Sequence, residues 1–291
     1  MLDPQTAHRI REIQIKARKS VTDVLAGEYH SVFKGRGMAF DEVREYQPGD
    51  DVRAIDWNVT ARTGQPHIKR YVEERELTIL FMVDLSASGH FGSRQRLKND
   101  LAAEIAGLLS FSAIANNDKV GLLCFSDRIE HFSPPRKGSS HALRLIRDIL
   151  HFKARGSGTD LGLALDHVGK IMPRRCVIFL LSDFRDQGYE KPLRVAARRH
   201  DLVAISIHDP LELALPKVGL LRLRDSESGE FFFLDSSRGR VRREFKERAR
   251  QGQLSLATLL QRMGIDHIPL ATADDYLPRL LRFFKVREGR R

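Results

Sequence analysis

The chain has 291 residues, enough for one large or two modest domains, and is 42% hydrophobic and 30% charged, which excludes a disordered polypeptide. Its net charge is +11, from 49 Lys and Arg against 38 Asp and Glu, a balance that suits nucleic acid, an anionic membrane surface, an acidic protein partner or simply a solvated surface. No apolar run approaches the roughly 18 residues of a membrane helix, and the polar start "MLDPQTAHRIREIQIKARKS" has no signal-peptide core, so a cytoplasmic protein is expected.

Residues 4–26 place Ile10, Ile13, Ala17, Val21, Val24 and Leu25 on one helical face. The next stretch, up to residue 75, is dense in Gly, charge and turn signals such as Pro48-Gly49-Asp50. It reads as an irregular β-containing subdomain. Arg44, Arg53 and Arg62 with Glu42, Asp51 and Asp56 are expected to form a docking lattice of salt bridges. Trp57, the single tryptophan, is expected in the core.

From Leu77 the pattern changes. "LTILFMVD" reads as a buried strand. "SRQRLKNDLAAEIAGLLSFSAIAN" reads as a helix with Leu97, Leu101, Ile105, Leu108 and Leu109 on its apolar positions and Ser93 as N-cap. There follow a strand at "KVGLLCFS", an edge strand closed by prolines at "DRIEHFSPP", helices at "SSHALRLIRDILHF" and "TDLGLALDHVGKIM", a strand at "CVIFLLSD", a helix at "YEKPLRVAARRH" and a strand at "DLVAISIHD". A hairpin straddles "SESG", a long basic helix covers about 240–263, and the chain closes on the strand "IDHIPL" and the helix "ADDYLPRLLRFFKV". Cys124 and Cys176 lie inside apolar runs with no CxxC pairing, so they read as small buried hydrophobes rather than zinc ligands.

Alternating apolar strands and helices predict a doubly wound, mostly parallel α/β sheet covered on both faces. The division expected is 1–75 for the helix and β subdomain, and 76–291 for the α/β domain with a hairpin-plus-helix insertion near 215–263. Such sheets bind ligands outside the carboxyl ends of their strands, at a switch point. There the sequence sets Asp84, Ser86 and Ser88 after the first strand, Thr159 after "GSG", and Asp183 in "LLSDF". Two carboxylates and three hydroxyls are hard oxygen donors suited to Mg²⁺. With only two formal negative charges they leave the cation electrophilic, ready for a carboxylate from another protein. Asp160 is better placed to complement a helix dipole than to ligate.

Asp84-x-Ser86-x-Ser88, Thr159 and Asp183 resemble, in order and context, the metal-ion-dependent adhesion site (MIDAS) of von Willebrand factor A domains. "FDEVREYQPGDDVRAIDWNVTARTGQPHIKRYVEERE", followed at once by "DLSAS", resembles the bacterial domain-of-unknown-function-58 family over roughly 30–210. The resemblance implies a von Willebrand factor A-like, Rossmann-type domain acting as a non-enzymatic adaptor. It also implies a MoxR-type AAA+ ATPase as partner, in protein maturation or complex assembly. Two departures stand out. Gly89-His90 replaces the methionine common after the last motif serine, and the two membrane helices many relatives carry before the signature are not seen.

The rival classes are a Mg²⁺-dependent phosphoryl-transfer hydrolase and a basic binder of nucleic acid or an anionic surface, including peripheral membrane association. A dehalogenase-type hydrolase needs Asp-x-Asp, and Ser86 takes the second position. There is no GxSxG elbow and no GxxxxGK[ST] loop. No nucleic-acid-binding motif accompanies the charge.

Overall fold

The computed structural model of the chain describes residues 4–20, 29, 32–33, 39–72, 76–93, 96–224 and 229–290. Helix α1 (Pro4–Ser20) is followed by the antiparallel hairpin of β1 (Ala39–Glu45) and β2 (His67–Val72), whose connection holds the short helix α2 (Trp57–Thr63). The expected face of α1 is realised in its buried Ile13 and Ala17; the expected Val21, Val24 and Leu25 lie outside the described residues.

The main sheet has six strands in the order β10-β7-β6-β3-β4-β5. They are β3 (Thr78–Asp84), β4 (Lys119–Phe125), β5 (Ile129–Arg136), β6 (Val177–Ser182), β7 (Asp201–His208) and β10 (Asp266–Ala271). All neighbours pair in parallel except β5, the antiparallel edge strand. Its prolines are accommodated because Gly121 opposite has no Cβ; one there would stand 2.9 Å from Pro135.

Strand β3 reads as an unbroken apolar run because both of its faces are covered. Ile79, Phe81 and Val83 face α1, α3 (Lys98–Ala115), α4 (Ser139–His151) and α9 (Tyr276–Glu288). Leu80 and Met82 face α5 (Leu161–Ile171), α6 (Glu190–Arg199) and α8 (Gly239–Arg262). Each fully buried side chain of this size contributes about 1.5–3 kcal/mol. Helix α3 is buried nearly all round, since α1 lies across its outer side. Gly107 permits that approach: a Cβ there would sit 2.7 Å from Ile13 Cγ2. The N-terminal helix therefore shares the core of the α/β domain, and Tyr29, Val32 and Phe33 join it there. The tyrosine hydroxyl donates to Asp118 Oδ2 at 3.1 Å.

Three sequence expectations are corrected. Trp57 is 70% exposed: it opens the short helix α2, none of whose residues is buried. Of the expected salt-bridge lattice, the Glu42 side chain lies outside the described residues, and the pairs among the other five residues do not form as drawn. Arg44 pairs with Asp50 at 2.6 Å. Asp51 instead caps the turn Val52–Ala54 through Arg53 N, and Asp56 caps α2 through Asn58 N and Val59 N. Among the described residues neither Arg53 nor Arg62 forms an ion pair. Capping satisfies orphan amides, and Asp56 in addition pairs with Lys69 at 3.4 Å rather than with one of the expected arginines. Ser93 does not cap α3, which begins at Lys98; the carboxylate of Asp100 turns back to accept Leu97 N at 3.0 Å, and Ser93 N binds Asp209.

After β7 comes a single helical turn, α7 (Pro210–Leu213), and then the expected hairpin, β8 (Leu220–Arg224) with β9 (Phe231–Asp235). The hairpin leaves Phe231, Phe232 and Phe233 exposed. Cys124 and Cys176 are free and buried, and burial pushes the thiols upward, that of Cys176 to about 12.

Candidate functional site

The chain runs from β3 to β4 on one side of the sheet and from β6 to β7 on the other. The connections therefore diverge between β3 and β6, and their carboxyl ends form the switch-point crevice. Asp84 ends β3 and Asp183 directly follows β6. Beyond Asp84 the chain makes the 3-10 turn Ala87–His90, which points both motif serines back over the strand ends.

A continuous line of hydrogen bonds crosses this crevice. Asp84 Oδ1 accepts from Ser86 N at 2.9 Å. The hydroxyls of Ser86 and Ser88 are 3.1 Å apart, and Ser88 Oγ donates to Asp183 Oδ2 at 2.9 Å. The other oxygen of Asp84 accepts from Ser182 Oγ at 2.7 Å. Four of the five expected residues are thus brought together through side-chain or local backbone contacts. The fifth, Thr159, is half-buried on a loop tied to the same turn by the bond from Ala87 N to Ser157 O at 3.1 Å. Glu130 fixes that loop: its Oε1 accepts from Arg155 N, Gly156 N and Ser126 Oγ at 2.7–2.9 Å. Asp160 caps α5 by accepting from Leu163 N at 2.7 Å, as its helix-dipole reading anticipated.

The chain matches the family described as "Protein of unknown function DUF58" over residues 42–254. It belongs to this family. An uncharacterized protein of Mycobacterium tuberculosis is 33% identical to this DUF58 chain over 290 residues, 98% of the chain and 90% of the relative. An uncharacterized protein of Mycobacterium avium is 29% identical over 159 residues, 53% of the chain and 92% of the relative. Among solved structures, the conserved hypothetical protein BatB of Bacteroides thetaiotaomicron is similar with a TM-score of 0.48 and 14% identity, covering 73% of this chain and 99% of that one. The SpRpn10 VWA domain is similar with a TM-score of 0.37 and 13% identity, covering 71% and 93%. The DUF58 chain has a doubly wound, mostly parallel α/β sheet, and no helix among its described residues is long and apolar enough to cross a membrane.

The electrostatics of the crevice are uneven. Burial pushes the Asp84 carboxyl up, the charge of Asp183 adds to the push, and the value reaches about 6. No cation among the described residues pairs with it. Burial also pushes Asp183 up, but the ammonium of Lys98 overrides that and holds it below the usual carboxylate range. Lys98 Nζ donates to Asp183 Oδ2 at 2.7 Å and to Glu212 Oε1 at 3.0 Å. Arg185 approaches the same Glu212 oxygen at 3.4 Å. Glu212 is held by its capping box with Asp209, whose N donates to Glu212 Oε2 at 2.8 Å. A small cavity of about 20 Å³ lies between Asp84, Ser88, Lys98 and Asp183, room for about one water-sized group.

The residues fit a divalent cation by donor type. An ionisable carboxylate with no cationic partner, flanked by two hydroxyls, is a hard oxygen set of the kind Mg²⁺ takes. No group of three or more His, Cys, Asp or Glu that could hold a metal occurs among the described residues. Gly89 leaves no room for a side chain. A Cβ at Gly89 would lie 2.2 Å from Asn99 Oδ1, so the asparagine of α3 fills the space a side chain would take. His90 beside it is exposed and outside the hydrogen-bonded line.

Sequence reasoning missed Lys98, Glu212, Ser182, Glu130 and Asn99. For Lys98 a signal existed: a lysine at the first residue of a helix opposes the helix dipole and so calls for a special reason. Placing the helix start at Ser93 hid it.

Proposed function

We propose that this chain is a non-enzymatic protein-binding module whose docking site is the β3–β6 crevice, with Asp84, Ser86, Ser88, Thr159 and Asp183 holding a divalent cation, Mg²⁺ by donor type. A cation so held supplies an unsaturated positive centre for a carboxylate of a partner protein. The single observation that carries this reading is the unbroken hydrogen-bonded line from Asp84 through Ser86 and Ser88 to Asp183. Ser182 orients Asp84, and Glu130 holds the Thr159 loop against the turn. The partner expected from the family resemblance is a MoxR-type AAA+ ATPase.

Hydrolysis is the weaker reading. Ser206 Oγ meets His267 Nε2 at 2.8 Å and His208 Nε2 at 3.1 Å, but the hydroxyl lies where no substrate reaches it, since Ser206 is 0% exposed. Asp84 meets serine amide and hydroxyl donors rather than a second acid positioned for proton transfer.

The test is capture of a MoxR-type ATPase by the immobilised chain in Mg²⁺, in EDTA and at raised salt. Capture lost in EDTA and retained at a few hundred millimolar salt is expected. A charge-driven binder does the reverse, since its affinity falls steeply with salt and ignores chelation. That pattern would move the function to the +11 surface.

A further inference from the structure

Lys98 is 4% exposed and is the first residue of α3. Both facts are unfavourable for an ammonium. Burial strips its water, and the helix N-terminus already carries partial positive charge. A buried ion pair is also a poor means of stabilisation compared with apolar packing. A lysine kept in such a place calls for an account of what its charge does.

Its contacts supply one. The ammonium joins three separate strand ends: it comes from the helix after β3, meets Asp183 after β6, and meets Glu212 after β7. It bonds to Asp183 Oδ2, the oxygen that Ser88 Oγ also reaches. That oxygen is the one turned toward the motif serines. Among groups linked by these contacts, Asp84, Asp183 and Glu212 are negative while Lys98 and Arg185 are positive, a net charge of −1. A divalent cation raises this set to +1, the charge that one incoming carboxylate neutralises. Without Lys98 and Arg185 the loaded set stands at −1 and repels an acidic partner.

We infer that Lys98 is a built-in counter-cation that occupies Asp183, holds down the resting affinity of the crevice for divalent metal, and leaves the loaded site positive enough to accept an acidic partner. This rests on the reading of the crevice as a metal site. Lys98 is a positioning residue: it acts through Asp183 and touches no partner. Glu212 is its counterweight, drawing the ammonium away from Asp183.

The experiment is a Mn²⁺ titration of the full chain, followed by electron paramagnetic resonance, on wild type, Asp84→Asn, Lys98→Met, Glu212→Gln and Lys98→Met/Glu212→Gln, with circular dichroism of each. Lys98→Met is expected to bind Mn²⁺ at least tenfold more tightly than wild type. Glu212→Gln is expected to bind it several-fold more weakly, because the ammonium is then left to Asp183 alone. A merely structural role lowers both. If Lys98→Met does not fold, the double variant, which removes the ammonium together with one of its two acids, is expected to show the gain instead. A folded Lys98→Met or double variant with unchanged or weaker Mn²⁺ affinity overturns the inference. If Asp84→Asn still abolishes wild-type binding in that case, the metal site survives without it. Absence of Mn²⁺ binding in every form overturns both.

Discussion

Asp84→Asn is expected to stabilise the metal-free chain and to abolish its stabilisation by divalent cations. At pH 7.5 the buried Asp84 carboxylate is ionised above its raised value of about 6, against an ordinary 3.8, with no ion-pair partner among the described residues. The difference corresponds to about 3 kcal/mol of destabilisation in the folded state. Asparagine keeps an acceptor for Ser86 N and can donate its amide to Ser182 Oγ, so it removes the charge while keeping one local bond and reversing the other. A chain of this size gains about 2–4 °C of melting temperature per kcal/mol. The variant should therefore melt several degrees above wild type in EDTA. In millimolar Mg²⁺ the order should reverse, since only wild type gains from a ligand that binds the folded state. A variant that melts below wild type in EDTA would show that Asp84 is a structural acid.

Phe33→Ala is expected to have the largest effect on stability. The ring is 2% exposed and packs at 5.1 Å from Tyr29, 5.8 Å from Phe179 and 5.9 Å from Phe284, with the Arg287 guanidinium 4.6 Å above it. Truncating such a side chain costs about 3–5 kcal/mol, and a fall in melting temperature of about 10 °C follows. Differential scanning calorimetry measures it directly. A melt within 2 °C of wild type would mean that the segment before β1 contributes nothing to the core of the α/β domain.

The α/β core was legible because its signals are local and repeated. Strands such as Thr78–Asp84 and Val177–Ser182 are apolar on both faces, and the helices α4 and α5 between them keep a 3.6-residue period. Asp84 and Asp183 were legible for the same reason: polar residues at the end of an apolar strand have few other places to lie than the sheet's rim. What was not legible depends on long-range geometry. Trp57 looked like core by composition, but it opens a short helix that buries no residue. Asp51 and Asp56 looked like partners of the nearby arginines, yet both cap orphan backbone amides, and Asp56 takes Lys69 as its cation. Lys98 and Asp183 are 85 residues apart, and Lys98 and Glu212 are 114 apart. No pattern within one helix or strand encodes that meeting.

The most direct measurement is anomalous diffraction from crystals of the full chain grown in saturating Mn²⁺. The expected result is one strong peak within coordination distance of Asp84, Ser86 and Ser88, on the side of Thr159. A map in which that crevice holds no peak, with the Asp84 and Asp183 carboxylates ordered as described, would contradict a metal-dependent docking site.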